Sequence, residues 1–324
     1  MLLTLLATIT LLRLPDGAIQ PQVQTGPKGR VHLIYFQGEP AAGNVFYKSS
    51  KDGGATWTAP LPVNSQPNAI IAAGNVRGAH LSLGRDSRPH VAWMGSSQTT
   101  PKSGFFYTRL NDRGDKFEPE RNLITKAWGL DGGGTLAADT QGRVHVLWHA
   151  PAPGAEGEAN RQVWIASSTD DGRTFAPEHP AWSEPTGACA CCGMRAGIAA
   201  NGDLRAFYRG ARETVHRDMF LLTSKDHGAT STGTKIDEWE VPACVMSTAW
   251  LGATTAAWET TGQIHALAGA HKLTPAGEAK RKHPVAATNK NGDTLLVWTE
   301  DMAWKKGGSL AWELATSAAL EGGA

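Results

Sequence analysis

The four cysteines of this 324-residue chain fall in two short runs. Cys189-Ala190-Cys191-Cys192-Gly193-Met194-Arg195 holds three of them, and Cys244-Val245-Met246-Ser247 holds the fourth. Thiolates and thioethers are soft donors that select copper(I), with zinc as a second fit. On that chemistry Cys191, Cys192, Cys244 and Met246 form a candidate ligand set. The runs lack the paired C-x₂-C units of structural zinc sites, which puts copper ahead. Two other states stay open. The even count permits a disulfide joining Cys244 to one member of the triplet in an oxidising compartment. Reduced cysteines buried as small apolar groups are the third reading.

A second set suits an anion. Arg77, Arg195, Arg209, Arg212 and Arg281 can each grip a carboxylate, phosphate or sugar acid through paired N–H donors. The competing role for each is an ion pair that ties structural elements together. His80 and His283 can add ligand hydrogen bonds or sit as satisfied core histidines. Asp131, Glu213 and Arg195 are the candidate catalytic groups, the carboxylates as acid–base residues. Asp131 also precedes Gly132-Gly133-Gly134, where a plain turn is the competing role.

Composition narrows the partners. The net charge of +1 leaves no footprint for nucleic acid or an acidic membrane surface. The apolar run Met1–Leu12 is shorter than the roughly 20 residues a membrane helix needs. Its alternation with threonine reads as a strand, and residues 1–6 are open to a second reading as the remnant of an export signal. A periplasmic or extracellular monomer with a small-molecule or glycan partner is expected, with a cytoplasmic location as the alternative.

The elements that position these residues are repeats. A turn residue followed six positions later by Trp or Tyr recurs as Gly29/Tyr35, Ser87/Trp93, Gly142/Trp148, Gly202/Tyr208, Gly252/Trp258 and Gly292/Trp298. The aromatic positions are 40 to 60 residues apart, the size of a propeller blade. In each unit a short apolar strand leads into the turn. A β-prone strand with the aromatic follows, then a variable loop and a third strand. The 37 glycines and 12 tryptophans, with no long helical periodicity, fit an all-β, six-bladed β-propeller of four-stranded antiparallel blades over residues 1–324.

A second repeat follows the third strand. Ser50-Lys51-Asp52-Gly53-Gly54-Ala55-Thr56-Trp57 returns as Ser168-Thr169-Asp170-Asp171-Gly172-Arg173-Thr174-Phe175. Weaker copies run over 110–117 and 224–231. The Asp can accept local backbone N–H bonds and the Gly can take a positive φ, as a hairpin turn needs. The further acids of a calcium loop are missing. This motif is the Asp-box, or BNR repeat, and on its four copies the chain resembles the sialidase superfamily of six-bladed propellers. Blade six lacks a fourth strand after Ser309–Leu314, so a strand within Thr4–Leu14 is expected to close the ring. Ala270–Lys280, in a blade without an Asp-box, is expected to be irregular.

A propeller brings the beginnings of its six inner strands to one axial face. Those beginnings are Gln20-Pro21-Gln22, Arg77–His80, Leu130–Gly134, the cysteine triplet with Arg195, Cys244–Ser247 and Arg281–Pro284. The resemblance implies Asp-boxes on the opposite face. It also implies an arginine triad, a Tyr nucleophile helped by a Glu, and an Asp acid/base in the enzymes of the superfamily. Here Arg13-Leu14-Pro15, similar to the superfamily's first arginine motif, falls one strand too early. None of Tyr35, Tyr47, Tyr107 and Tyr208 lies in the last two blades. Binding of a small anionic or glycan ligand, or a soft metal, is therefore the leading expectation. An exo-α-sialidase or related glycoside hydrolase is the alternative, and a protein-interaction platform the third. The Cys-x-Cys-Cys and Cys-x-Met runs are similar to those of a bacterial exported sialidase-like BNR subgroup.

Overall fold

The computed structural model describes residues 11–72, 78–98, 104–303 and 306–317. Within them six antiparallel sheets, each a simple meander, stand around an axis as blades. The inner strands are Ala18–Thr25, His80–Leu83, Thr135–Ala138, Met194–Ile198, Trp250–Leu251 and Arg281–Thr288. Blade three shows the plan: Thr135–Ala138, Val144–Pro151, Arg161–Ser168 and His179–Pro180, paired in that order. Side chains stitch neighbouring inner strands together. Gln22 Oε1 accepts from Leu81 N at 3.2 Å, Ser82 Oγ from Ala138 N at 2.9 Å, and Thr135 Oγ1 from Ala196 N at 3.0 Å.

The six repeat aromatics all sit on second strands and are buried, Trp93 and Trp148 at 0% exposure. Outside blade six, whose Thr294–Glu300 alternates, these strands are buried almost throughout: Pro89–Met94 is buried at every residue. A blade is covered on both faces by its neighbours, so its middle strand has no solvent face. Tyr208 follows the same rule; its hydroxyl meets Thr186 Oγ1 at 2.7 Å and its ring stacks on Phe220.

The Asp-boxes are closed hairpin turns. In blade one Asp52 Oδ1 accepts from Ser50 Oγ at 2.7 Å and Thr56 N at 2.8 Å, and Oδ2 accepts from Thr56 Oγ1 at 2.6 Å. The Ser168 and Ser224 copies repeat these bonds. The Thr56 and Ser50 donors hold the Asp52 carboxyl down to about 2. The copy at Asn111 has exchanged roles: Asn111 Nδ2 donates to Asp115, and Asp112 turns outward to Arg88 and Arg173.

One expectation changes, and another lies largely outside the described residues. Blade five has a fourth strand, His271–Leu273, inside the segment expected to be irregular. Blade six shows three strands among the described residues, ending on Ser309–Ala315 with Leu310, Trp312 and Leu314 exposed. Residues 4–10 of the expected closing strand lie outside the described residues. Residues 11–14 are irregular, with Leu12 against the Gly54 turn of blade one.

The inner strands of blades one and six share an irregularity. Both carry a bulge, between Ile19 and Gln22 in one and between Lys282 and Val285 in the other. In each the bulged residue precedes proline and has positive φ: Gln20 at 51° and His283 at 55°. The left-handed region costs a side-chain-bearing residue about 1 kcal/mol, and such strain concentrates at functional sites.

Candidate functional site

The bulges bound a cavity of about 640 Å³ that begins at the axis and runs outward between blades one and six. His80, Arg195 and His283 meet there, with Gln20, Gln22, Thr248 and Trp250 around them. The structure thus brings three of the predicted site residues together from blades two, four and six. Arg195 Nη1 donates to His80 Nε2 at 3.1 Å and to the Met194 carbonyl at 3.2 Å. Among the described residues no carboxylate lies within ion-pair distance of Arg195. Arg195 is half-buried and lines the cavity. Burial pulls its pKa down to about 10, which leaves it cationic at neutral pH.

Both histidines are neutral. Burial, then the Arg195 charge, holds His80 well below the ordinary imidazole range. His283 is lowered to about 4 by burial and by Lys282 and Arg195. Hydrogen bonds assign the tautomers. His283 Nδ1 accepts the Thr248 backbone N–H at 3.1 Å, so its proton is on Nε2. That Nε2 is buried and has no hydrogen-bond partner among the described residues. The cavity therefore presents a guanidinium, complementary to an anion, while the unused His283 N–H is closed off beside it.

The other predicted residues are placed elsewhere. Arg77 lies outside the described residues. Arg209 is 2% exposed and is spent on backbone carbonyls, Arg217 O at 2.7 Å and Glu259 O, with its face over Trp239. Arg281 bonds Glu300 Oε1 at 3.1 Å and the Pro275 carbonyl at 2.6 Å over Trp298. Both have the tying role that competed with ligand binding. Arg212 and Glu213 pair with each other at 3.1 Å on the surface. Asp131 pairs with Arg161 at 3.3 Å. None of Arg209, Arg281, Arg212, Glu213 and Asp131 lines the axial cavity.

The cysteines gather as their register requires. A 3₁₀ turn, Ala190–Cys192, is capped by Cys189. With three residues per turn, positions 189 and 192 eclipse, and their sulfurs lie 3.3 Å apart. Cys189 Sγ is 3.5 Å from Cys191 Sγ, and Cys191 is disulfide-bonded to Cys244. The bond resolves the pairing expected between Cys244 and the triplet. While Cys191 and Cys244 are joined they offer no thiolates to a metal. Cys189, absent from the predicted ligand set, touches two of the other sulfurs. Two glycines make the turn possible. Gly193, at φ 62° and ψ 175°, turns the chain into the inner strand. At Gly132 a β-carbon would lie 2.0 Å from the Ala190 carbonyl oxygen.

Cationic groups surround the two free thiols. Burial opposes ionisation of Cys192, but the Cys189 hydrogen bond, the Arg209 guanidinium and the Ser247 N–H together lower its pKa. The same bond, then burial, raises Cys189. Glu259, which the sequence reading missed, is 1% exposed nearby; burial raises its pKa against the pull of Arg209 and Lys282. Lys282 Nζ donates to the Val245 carbonyl and, at 3.5 Å, to that of Met246, tying blade six to the Cys244 turn.

No protein-family profile and no curated protein matches the sequence. Solved structures do. A protein of unknown function from Dyadobacter fermentans superposes with a TM-score of 0.60 at 16% identity, over 92% of this chain and 94% of that one. The α-L-arabinofuranosidase Arb93A of Fusarium graminearum gives 0.58 at 11% identity, over 94% of each chain. The Trypanosoma rangeli sialidase gives 0.59 at 11%, over 93% of this chain and 55% of that one. With its Asp-box turns, the chain has the six-bladed propeller fold of the sialidase superfamily. At these identities the likeness is one of fold.

Proposed function

We propose that the chain binds a small carboxylated ligand, a sugar acid by class, at the head of the axial cavity. Arg195 pairs with the carboxylate at the cavity wall it shares with His283. The observation that carries this reading is a cationic Arg195 in a cavity with no carboxylate within ion-pair distance among the described residues. The strained bulge at His283 supports it, because it aims that ring at Thr248 and sets the tautomer. The cavity flank is apolar, with Val23 48% and Val285 42% exposed to it, and suits an acyl or deoxy edge of the ligand. The test is calorimetric titration of N-acetylneuraminate and of galacturonate. Saturable binding by either, weakened at least about tenfold in Arg195→Met, is expected. Equal affinity in wild type and Arg195→Met overturns the assignment.

Hydrolysis is the second reading, supported by the fold shared with an arabinofuranosidase and a sialidase. Glycoside hydrolysis needs a carboxylate pair, or a tyrosine nucleophile with its helper. Among the described residues lining the cavity none is Asp, Glu or Tyr. Turnover of a fluorogenic sialoside or arabinoside, lost in Arg195→Met, reverses the ranking. The Cys191–Cys244 disulfide supports a periplasmic or extracellular location.

A further inference from the structure

We propose that the reduced chain holds one soft d¹⁰ metal ion, copper(I) or zinc, on the sulfurs of Cys189, Cys191, Cys192 and Cys244. Three of the four donors are gathered before any metal arrives. Cys189, Cys191 and Cys192 place their sulfurs within 4.8 Å of one another, and the fourth sulfur is bonded to Cys191. Four sulfurs around one ion, with bonds of about 2.3 Å, stand about 3.8 Å apart. The pairs at 3.3 and 3.5 Å need a displacement of only a few tenths of an ångström to meet that. Such a donor set, with no oxygen ligand, selects copper(I) or zinc over harder cations.

A second observation points to negative charge at this place. Arg217 is 4% exposed; its Nη2 pairs with Glu158 at 2.7 Å, while its Nε and Nη1 have no hydrogen-bond partner among the described residues. Arg209 is 2% exposed with an unpartnered Nε. Arg217 acts electrostatically on Cys189 and Arg209 on Cys192. Buried guanidinium N–H groups without acceptors are costly beside neutral thiols or a disulfide. They are matched to a thiolate–metal centre, where three or four thiolates on one ion leave a net negative charge. The turn is fixed by Gly132 packed on Ala190 and by the apolar cover of Ala211, Val245 and Trp239. Cys244 is exposed and gives the ion its route in. The metal form and the disulfide form exclude each other, because the bond occupies two of the four sulfurs.

The test uses the full chain under anaerobic conditions. A phosphine reduces the Cys191–Cys244 bond, giving two thiols while the phosphine becomes its oxide. One sample then receives copper(I) against a bicinchoninate competitor, and another zinc against a chromophoric chelator. Metal and thiols are counted after desalting. The expected result is about one equivalent of metal per chain in one arm. Retention is expected to fall at least tenfold in C189S/C192S and in C191S/C244S. Alkylation with N-ethylmaleimide, mapped by mass spectrometry, gives a readout in wild type alone: all four cysteines are protected when metal is bound and modified when it is stripped. The arm that retains metal identifies the ion. Four free thiols with no metal retained in either arm overturn the proposal. So does retention with the cysteines still open to alkylation.

Discussion

Replacing Asp171 with asparagine is expected to loosen the seam between blades two and three. Asp171 belongs to the blade-three Asp-box, is 0% exposed, and has φ 62°. Its Oδ2 accepts from Arg109 Nη1 at 3.0 Å and contacts Arg88 Nε at 2.7 Å, too obliquely for a hydrogen bond but close enough for a strong ion pair. Oδ1 stands 3.5 Å from His90 Nε2, and the Asp171 N–H donates to the Gly142 carbonyl at 2.8 Å. Burial works to raise the Asp171 pKa, but His90, Arg88 and Arg109 outweigh it and hold the carboxyl below its ordinary range. Asparagine keeps the shape and tolerates the left-handed backbone, so the substitution removes charge alone. Breaking a buried pair while leaving its partners in place costs about 3 kcal/mol. Arg109 retains Glu118 at 2.7 Å, which sets the lower end of that range as the appropriate figure. Unfolding entropy of about 2.1 cal/mol/K per residue converts this into a fall of about 4 °C in Tm for a chain of 324 residues. The loss persists in 0.5 M salt because buried pairs are poorly screened. Asp112→Asn is the control: its side chain is 61% exposed in the same network, and a change under about 1 °C is expected. Thermal melts followed by circular dichroism decide it. Equal melting temperatures for Asp171→Asn and wild type refute the reasoning.

Three further outcomes are expected. Gly132→Ala forces a β-carbon against the Ala190 carbonyl at a φ of 127°; it should lower Tm and speed reaction of Cys189 and Cys192 with a thiol reagent, and unchanged thiol kinetics refute the coupling. His145, 2% exposed, is lowered to about 4 mainly by burial. It binds its proton more readily when unfolded, at about 6.5, so its stabilisation is whole above that pH and is lost as pH falls towards 4. The loss is about 2 kcal/mol by pH 5, and His145→Gln should flatten the Tm-against-pH curve there. Deleting residues 1–14 should lower Tm by roughly 3 °C or more if that segment covers Leu310, Trp312 and Leu314; an unchanged melt shows that the blade-six edge has another cover.

Sequence periodicity alone determined the blades, the Asp-box turns and which segments begin the inner strands. These are local matters: a turn residue six positions before an aromatic, or an Asp four residues before a Thr that bonds it, carries its geometry in a few residues. His32, His90 and His145 form a repeat that the sequence analysis passed over: each lies three residues before a repeat aromatic and bonds a third-strand hydroxyl. Which arginine faces the axis was decided only by tertiary structure. Arg195, Arg209 and Arg281 look alike in sequence. Carbonyls and a carboxylate from their own and the adjoining blade claim Arg209 and Arg281 and leave Arg195 to the cavity. The cysteines divide the same way. Their gathering followed from the repeat register, whereas the Cys191–Cys244 bond and the place of Cys189 depend on a 3₁₀ turn backed by Gly132, 58 residues earlier than Ala190. Long-range packing of that kind leaves no periodic trace in the chain.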